Sequence, residues 1–562
     1  MSHPLQYWAS QQAQLRPNAV ALVMADRSMT YGGLEKMSNQ IARCLRAVGC
    51  RNGDRTCLLL PKSVEAIASI HGVLKAGAIY VPMDSESPAR RLSRVIDACR
   101  PTVILATDQM LGKLAELRSS SPAAAAAAIG FIAGKANNDM QVNIAFDVDD
   151  IAAQPSALGN WRPNNDGPAH ILFTSGSTGI PKGVVITHDM VRSFVDWGRD
   201  YFGITSADRL SQHPPLHFDL STFDIFGGLS AGAELHLVPP ACNLQPDKMA
   251  AFIRDSALSQ WFSVPSALVY MSKFDVVRPN DFPTLKRLLW CGEVFPTSAL
   301  IYWMERLPHV QFTNLYGPTE ATIASSYYTL PTCPKKKSEA IPIGRPCPGE
   351  DLLILGPDLK SVEPGTIGDL YIRGVGLSPG YWEDPERTQQ AFLDDVETLS
   401  RHGRIYKTGD LAKQDESGLF YFLGRKDMQV KSRGYRIELG EIEIALAALD
   451  DVAECATVAI DQGGFEGATI CCAYVLADGV KSTSGALRAA LTSMLPRYML
   501  PTLWHEYTAL PKNQNGKIDR RYLSEKFLGK LKPKEHNATS DPHGQLTVVA
   551  GGPDTRQDEP AR

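Results

Sequence analysis

Residues 171 to 188 read ILFTSGSTGIPKGVVITH: a β-like run, ten residues of hydroxyls, glycines and one lysine, then a second apolar run. Gly176, Gly179 and Gly183 let the backbone turn tightly and bring its N–H groups near an anion. Thr174, Ser175, Ser177 and Thr178 add hydroxyl donors, and Lys182 adds a positive charge. This is the equipment for gripping a polyphosphate. It is not the Walker arrangement, because Lys182 is followed by glycine rather than Ser or Thr and the glycine spacing differs. A flexible surface loop is the plainer reading of a Ser/Gly-rich stretch, and the strand-like runs on either side argue against it.

Such a loop needs a rigid frame. Amphipathic helical stretches alternate with short β-branched runs, as in EAIASIHGVLK (65 to 75) followed by AIYVPMD (78 to 84), and this is the pattern of stacked α/β layers. The expected architecture is α/β, with a large N-terminal body over 1–424 and a small, mobile α+β domain over 425–528. The small domain is read from a strand-like VKSRGYRIEL (430 to 439), a helix from Glu441 to Leu449 and a strand-like CCAYVLA (471 to 477). From Gly529 to the end the chain is polar and rich in Pro, Gly and charge, which predicts a disordered tail, and its Asn537-Ala538-Thr539 sequon reads as chance. The alanines after Ser119-Ser120-Ser121-Pro122, with Asn137-Asn138-Asp139 beyond them, read as a peripheral, solvent-exposed insertion with helical propensity and nothing to bury against.

Composition narrows the function classes. With 562 residues, 44% hydrophobic and 21% charged, the chain has the balance of a soluble globular protein, which excludes a disordered, collagenous or membrane-bundle chain. The 57 basic against 61 acidic side chains leave a net charge of -4, without the positive footprint of nonspecific nucleic-acid binding. The 11 cysteines are odd in number, scattered and nowhere spaced Cys-x-x-Cys, against both a disulfide framework and a structural zinc site. Reduced thiols in a cytoplasmic protein fit best. The N-terminus has no basic-then-apolar signal, and the apolar run from Ala123 to Gly134 is too short to span a bilayer.

The chain resembles the adenylate-forming enzymes, which include acyl-CoA synthetases, firefly luciferase and the adenylation domains of nonribosomal peptide synthetases. The resemblance runs from about Leu5 to Leu528. It rests on LKAGAIYVPMD (74 to 84), TSGSTGIPKG (174 to 183), FDLSTFDIF (218 to 226), NLYGPTE (314 to 320), GDLYIRGVGLSPGYW (368 to 382), YKTGDLA (406 to 412), GRKDMQVKSRGYRIELGEIE (424 to 443) and PKNQNGKID (511 to 519), in the family's order. LKAGAIYVPMD and the final NGKID look like the amino-acid-activating branch.

The resemblance implies that a carboxylate attacks the α-phosphate of ATP, pyrophosphate leaves, and the acyl-adenylate passes to a thiol, the protein supplying position and charge. It places Thr174 to Lys182 on the β- and γ-phosphates, Tyr316 against the adenine with Asn314 nearby, and Thr319 at the α-phosphate. Gly292, Glu293 and Gly317 join the nucleotide site, and Glu320 is the expected Mg²⁺ ligand. Asp410 is expected on the ribose hydroxyls, with Arg425 near ribose and phosphate. Taken alone, Tyr316 and Asp410 would be a packed aromatic and a turn carboxylate; the motifs reverse that. Lys517, in a glycine turn, is the expected catalytic cation between the substrate carboxylate and the α-phosphorus. Asp427 is the expected hinge, and Gly434 is expected to face the thiol tunnel.

Asp219 discriminates within the family, because the amino-acid branch pairs an aspartate there with the substrate's α-ammonium. A helix-capping or turn aspartate is the plainer reading of that position. Matching the motifs adds Leu220, Phe223, Phe262, Leu289, Cys291, Leu315, Ile323 and Ala324 to the substrate pocket, although FSVPS around Phe262 departs from the usual double proline. Apart from Asp219 this lining holds no carboxamide, hydroxyl or charge, so it rewards an apolar side chain. The set looks most like that of stand-alone prolyl-activating enzymes, so L-proline is the first choice and Ala, Val or another small apolar amino acid the next. A separate carrier protein with a phosphopantetheine arm is the expected acceptor, ahead of coenzyme A. The rivals are an acyl- or aryl-CoA synthetase and a non-catalytic nucleotide-binding regulatory protein. An oxidoreductase is weaker, since GVGLSPG (374 to 380) misspaces the dinucleotide glycines.

Overall fold

The computed structural model describes residues 3–134, 144–159, 167–176, 179–243, 245–394, 403–461, 467–513 and 517–531. Two sheets with helices packed around them make up most of the body, and both are largely parallel. The seven-stranded sheet runs in the order Ile144–Phe146, Ala128–Ala133, Val103–Thr107, Arg55–Leu59, Ile79–Pro82, Pro168–Thr174, Lys182–Thr187, parallel except for the last pair. The nine-stranded sheet carries Arg209–Gln212, Gln260–Ser263, Arg287–Cys291 and Gln311–Tyr316 side by side and parallel near its middle. A five-stranded sheet, ending in Arg404–Gln414 and Phe420–Arg425, completes the body. Past it lie a hairpin (Gln429–Ser432 with Tyr435–Glu438), the helix Leu439–Ala447 and a three-stranded sheet.

Local chemistry explains the elements. Val64–Lys75 begins where the Ser63 side chain accepts from the Ala66 N–H, and every residue of this helix is buried between layers. Leu220–Ala231 ends at Gly232, whose φ of 77° the absence of a Cβ permits. Large apolar side chains such as Trp261, Trp290 and Trp303 are wholly buried, each contributing about 1.5–3 kcal/mol or more relative to exposure.

Three expectations need correction. The poly-Ala stretch is exposed only in part: Pro122–Ala126 is a short helix whose Pro122, Ala125 and Ala126 face solvent while Ala124 is fully buried, and Ala128–Ala133 is an interior strand carrying buried Ile129, Phe131 and Ile132. Small methyls let the helix pack closely, and the branched residues after them build the strand; Asn137-Asn138-Asp139 lies outside the described residues. VKSRGYRIEL is not one strand but the two arms of a hairpin, because Arg433 and Gly434 take φ of 53° and 80° and reverse the chain. The helix Arg520–Leu531 runs past Gly529, so residues 529–531 are helical, while the rest of the expected tail lies outside the described residues. Among the described residues no helix is long and apolar enough to cross a membrane.

Candidate active site

Parallel strands leave their carboxyl ends on one edge, where chain exits toward the helices open a crevice. Thr174, Cys291 and Tyr316 are the last residues of three such strands, and Ser263 ends a fourth. A cleft opens there, walled by the body on one side and by the hairpin 429–438 on the other, with Asp219, Gly292, Gly317, Thr319, Asp410 and Arg425 among its lining.

Asp219 precedes the helix Leu220–Ala231 but its side chain makes no N-cap hydrogen bond, which argues against the helix-capping half of its plainer reading. Its carboxylate accepts from the Thr319 hydroxyl at 2.7 Å. Burial raises its pKa above the usual carboxylate range, opposed by the Thr319 hydroxyl and the Leu220 N–H. The eight apolar pocket residues fall within one continuous core cluster. Leu220 and Cys291 reach the cleft, while Phe223, Phe262, Leu289, Leu315, Ile323 and Ala324 pack behind them. The rings of Phe223 and Phe262 meet edge to face at 6.1 Å, and Phe223 lies so close to Gly198 that a Cβ there would come within 2.6 Å of it. Thr322 and Ile323 both have positive φ, 55° and 70°, a strain of about 1–3 kcal/mol each for β-branched residues.

Among the residues expected at the nucleotide, Asp410 is buried and accepts from the Tyr316 hydroxyl and from Arg425, both at 2.5 Å. Arg425 also grips Asp427, at 2.6 Å and 2.8 Å. Asn314 donates to the Pro342 carbonyl at 2.8 Å. A Cβ on Gly317 would meet the Ala324 Cα at 2.5 Å, so only glycine fits. In the loop expected to face the phosphates, a Cβ on Gly176 would strike the Ile180 carbonyl at 2.2 Å, and Gly179 takes a φ of 74°. Thr174 pairs with Lys182 across the two strands, and Ser175 donates to the Arg436 carbonyl at 2.5 Å. Burial and the nearby Arg436 lower the Lys182 pKa, against Glu320 and Glu438. Ser177 and Thr178 lie outside the described residues.

Two expected residues stand differently. Lys517 is not in the cleft: it is exposed on a turn of the small domain, its N–H bonded to the Asn513 side chain at 3.1 Å. The cleft's lysine is Lys431, whose ammonium lies 5.7 Å from the centre of the Tyr316 ring. Glu320 is fully buried, and its two oxygens accept from Tyr381 at 2.8 Å and pair with Arg436 at 2.6 Å. Burial alone would raise its pKa, but Arg436 and Lys182 bring it down to about 2. With Arg436 and Lys182 putting positive charge beside it and no group of three potential metal ligands among the described residues, Glu320 does not fit a metal ligand in this arrangement.

Arg436 and Lys431 escape a reading of VKSRGYRIEL as a single strand. Tyr381 sits near the end of GDLYIRGVGLSPGYW, where an aromatic reads as packing. Gly434 has a φ of 80°, donates to Glu293 at 2.6 Å, and leaves 2.8 Å between a would-be Cβ and Val264. The hairpin and the helix after it are further tied to the body by a buried ion pair of Arg91 with Glu441 and by Tyr435 against Phe218.

A parallel-strand crevice with a Gly- and Ser-rich loop on one side and a seated small domain on the other is the arrangement expected of the adenylate-forming enzymes. The profile of the AMP-binding enzymes matches residues 9–382 and that of the AMP-binding enzyme C-terminal domain residues 441–517, and the chain belongs to this family. It is 32% identical over 531 residues to tyrocidine synthase 3 of Brevibacillus parabrevis, matching 94% of this chain but only 8% of that protein. The chain thus spans a small part of the length of such relatives. It shares its fold with the Vibrio cholerae adenylation domain AlmE solved with glycyl-adenosine-5'-phosphate, at a TM-score of 0.79 and 24% identity over 94% of this chain and 98% of that one. A fused adenylation–PCP di-domain, NpsA-ThdA from Klebsiella oxytoca, aligns at a TM-score of 0.74 and 24% identity over 89% of this chain and 93% of that one.

Proposed function

We propose that the chain activates a small apolar amino acid, L-proline first, as its aminoacyl-AMP, and passes it to the phosphopantetheine thiol of a separate carrier protein in the cytoplasm. The observation that carries this reading is Asp219, a half-buried carboxylate at the cleft in front of an apolar wall. An anion against such a wall asks for a cation, and an α-ammonium supplies one beside a carboxylate that can react. An acid without an amine would leave Asp219 only the Thr319 hydroxyl, the Leu220 N–H and the charge of Lys431 across the cleft, which disfavours the acyl- and aryl-CoA synthetase reading. The packed rings of Phe223 and Phe262 favour a short, compact side chain.

In the first half-reaction a substrate carboxylate oxygen bonds to the α-phosphorus of ATP and pyrophosphate departs. Asp219 orients the amino acid, Tyr316, Asp410 and Arg425 hold the nucleoside, and the loop from Thr174 to Lys182 faces the phosphates. Lys517 reaches the α-phosphate only after the small domain turns, with Asp427 as the hinge. In the second, the carrier's thiolate attacks the acyl carbon past Gly434 and AMP leaves. The experiment is a pyrophosphate-exchange panel over all amino acids, repeated as acyl transfer with and without a phosphopantetheinylated carrier. A small apolar amino acid should lead the panel; a tenfold preference for Ser, Asn or a charged amino acid would overturn the pocket assignment.

A further inference from the structure

A carboxylate that binds a divalent cation must offer it at least one oxygen. In Glu320 each oxygen already carries a chain donor, in a fully buried position: Tyr381 donates to one at 2.8 Å and the Arg436 guanidinium pairs with the other at 2.6 Å, so a cation would have to come in beside a positive charge. Lys182 contributes further positive charge beside it. Arg436 is not a local partner; it is delivered from the small domain by the hairpin 429–438. That hairpin is seated by the Gly434 N–H on Glu293 and by the Ser175 hydroxyl on the Arg436 carbonyl. The guanidinium therefore holds one of the two oxygens a cation could use, and its charge repels a cation from the other.

We propose that Arg436 is a positioning residue that takes the cation's place at Glu320, so that divalent-cation binding there and seating of the hairpin in the cleft exclude one another. A ligand shifts an equilibrium only through its different affinity for the two states, and the coupling is reciprocal. A cation on Glu320 thus unseats the hairpin, and a seated hairpin weakens the cation. The proposal rests on the adenylation reading only for its use, which is to keep the phosphate-activating and thiol-accepting arrangements apart.

The test measures Mn²⁺ alone, by the electron paramagnetic resonance of free ion, on the full chain. Arg436→Met should bind Mn²⁺ at least tenfold more tightly than the unsubstituted protein, and Arg436→Gln should do the same, guarding against a folding defect in either. Arg436→Lys should restore weak binding, and adding Glu320→Gln to Arg436→Met should abolish the gain. Equal affinities with and without Arg436, a gain that survives Glu320→Gln, or no Glu320-dependent Mn²⁺ binding in any variant would each overturn the proposal. Pyrophosphate exchange by the unsubstituted protein is read separately: its absence alongside the expected Mn²⁺ affinities would remove the adenylation reading and leave the exclusion standing.

Discussion

Replacing Asp219 with alanine removes the one carboxylate that the apolar wall presents to a substrate nitrogen, and Asp219→Asn removes its charge while keeping an acceptor for the Thr319 hydroxyl at 2.7 Å. A buried cation stripped of its partner costs roughly 3–5 kcal/mol, a loss of about 10² to a few times 10³ in kcat/KM for L-proline. The assay is pyrophosphate exchange with L-proline and with cyclopentanecarboxylic acid, which keeps the ring and the carboxylate but lacks the nitrogen. The unsubstituted protein should prefer proline by a factor of that order, and Asp219→Ala should lose most of the preference, as a two-by-two cycle of residue and substrate reads directly. The pH profile adds a second signature. Burial raises the Asp219 pKa, and the carboxylate must be ionised to hold the ammonium, so kcat/KM should fall on the acid side from above the usual carboxylate range. That limb should flatten in Asp219→Asn. If Asp219→Ala slowed exchange equally with both acids, Asp219 would be structural and the reasoning would fail.

Other positions make separate predictions. Glu350 accepts from the Gly376 N–H at 2.6 Å, its second oxygen is buried without a partner among the described residues, and burial pushes its pKa up to about 8. Its protonated form is favoured in the native state, so its contribution is present at acid pH and lost as pH rises through about 8; Glu350→Gln should remove a decline of about 3 kcal/mol between roughly pH 4 and 7, checked by urea unfolding across that range. Lys517→Ala should slow adenylate formation by roughly 10² to 10³ and largely spare transfer from preformed adenylate; equal loss in both steps would refute its role. Gly434→Ala introduces a left-handed strain of about 1–2 kcal/mol and a contact with Val264, so thiol transfer should drop while pyrophosphate exchange persists, measured by loading of the carrier.

The alternation of helical and β-branched stretches is enough to expect stacked α/β layers, because burial on both faces leaves a continuous apolar signature in strands such as Ile79–Pro82. The tight turn of the loop 174–183 is legible in its glycines, since a Cβ on Gly176 would strike the Ile180 carbonyl and one on Gly183 the Phe173 ring. What escapes depends on partners remote in sequence. Alanines look the same whether exposed or packed, so nothing in the sequence singles out Ala124 as the one that the helix Pro122–Ala126 buries. Arg436 and Glu320 are 116 residues apart, and neither motif announces that one will neutralise the other. Lys431 and Lys517 likewise differ only in which of them the seated small domain turns toward the cleft.

The most direct measurement of the central claim is the product itself. Purified protein incubated with ATP labelled at the α-phosphate and each of the twenty amino acids should yield an aminoacyl-AMP with L-proline or another small apolar amino acid, released pyrophosphate matching it. Absence of a mixed anhydride with every one of the twenty would contradict the account.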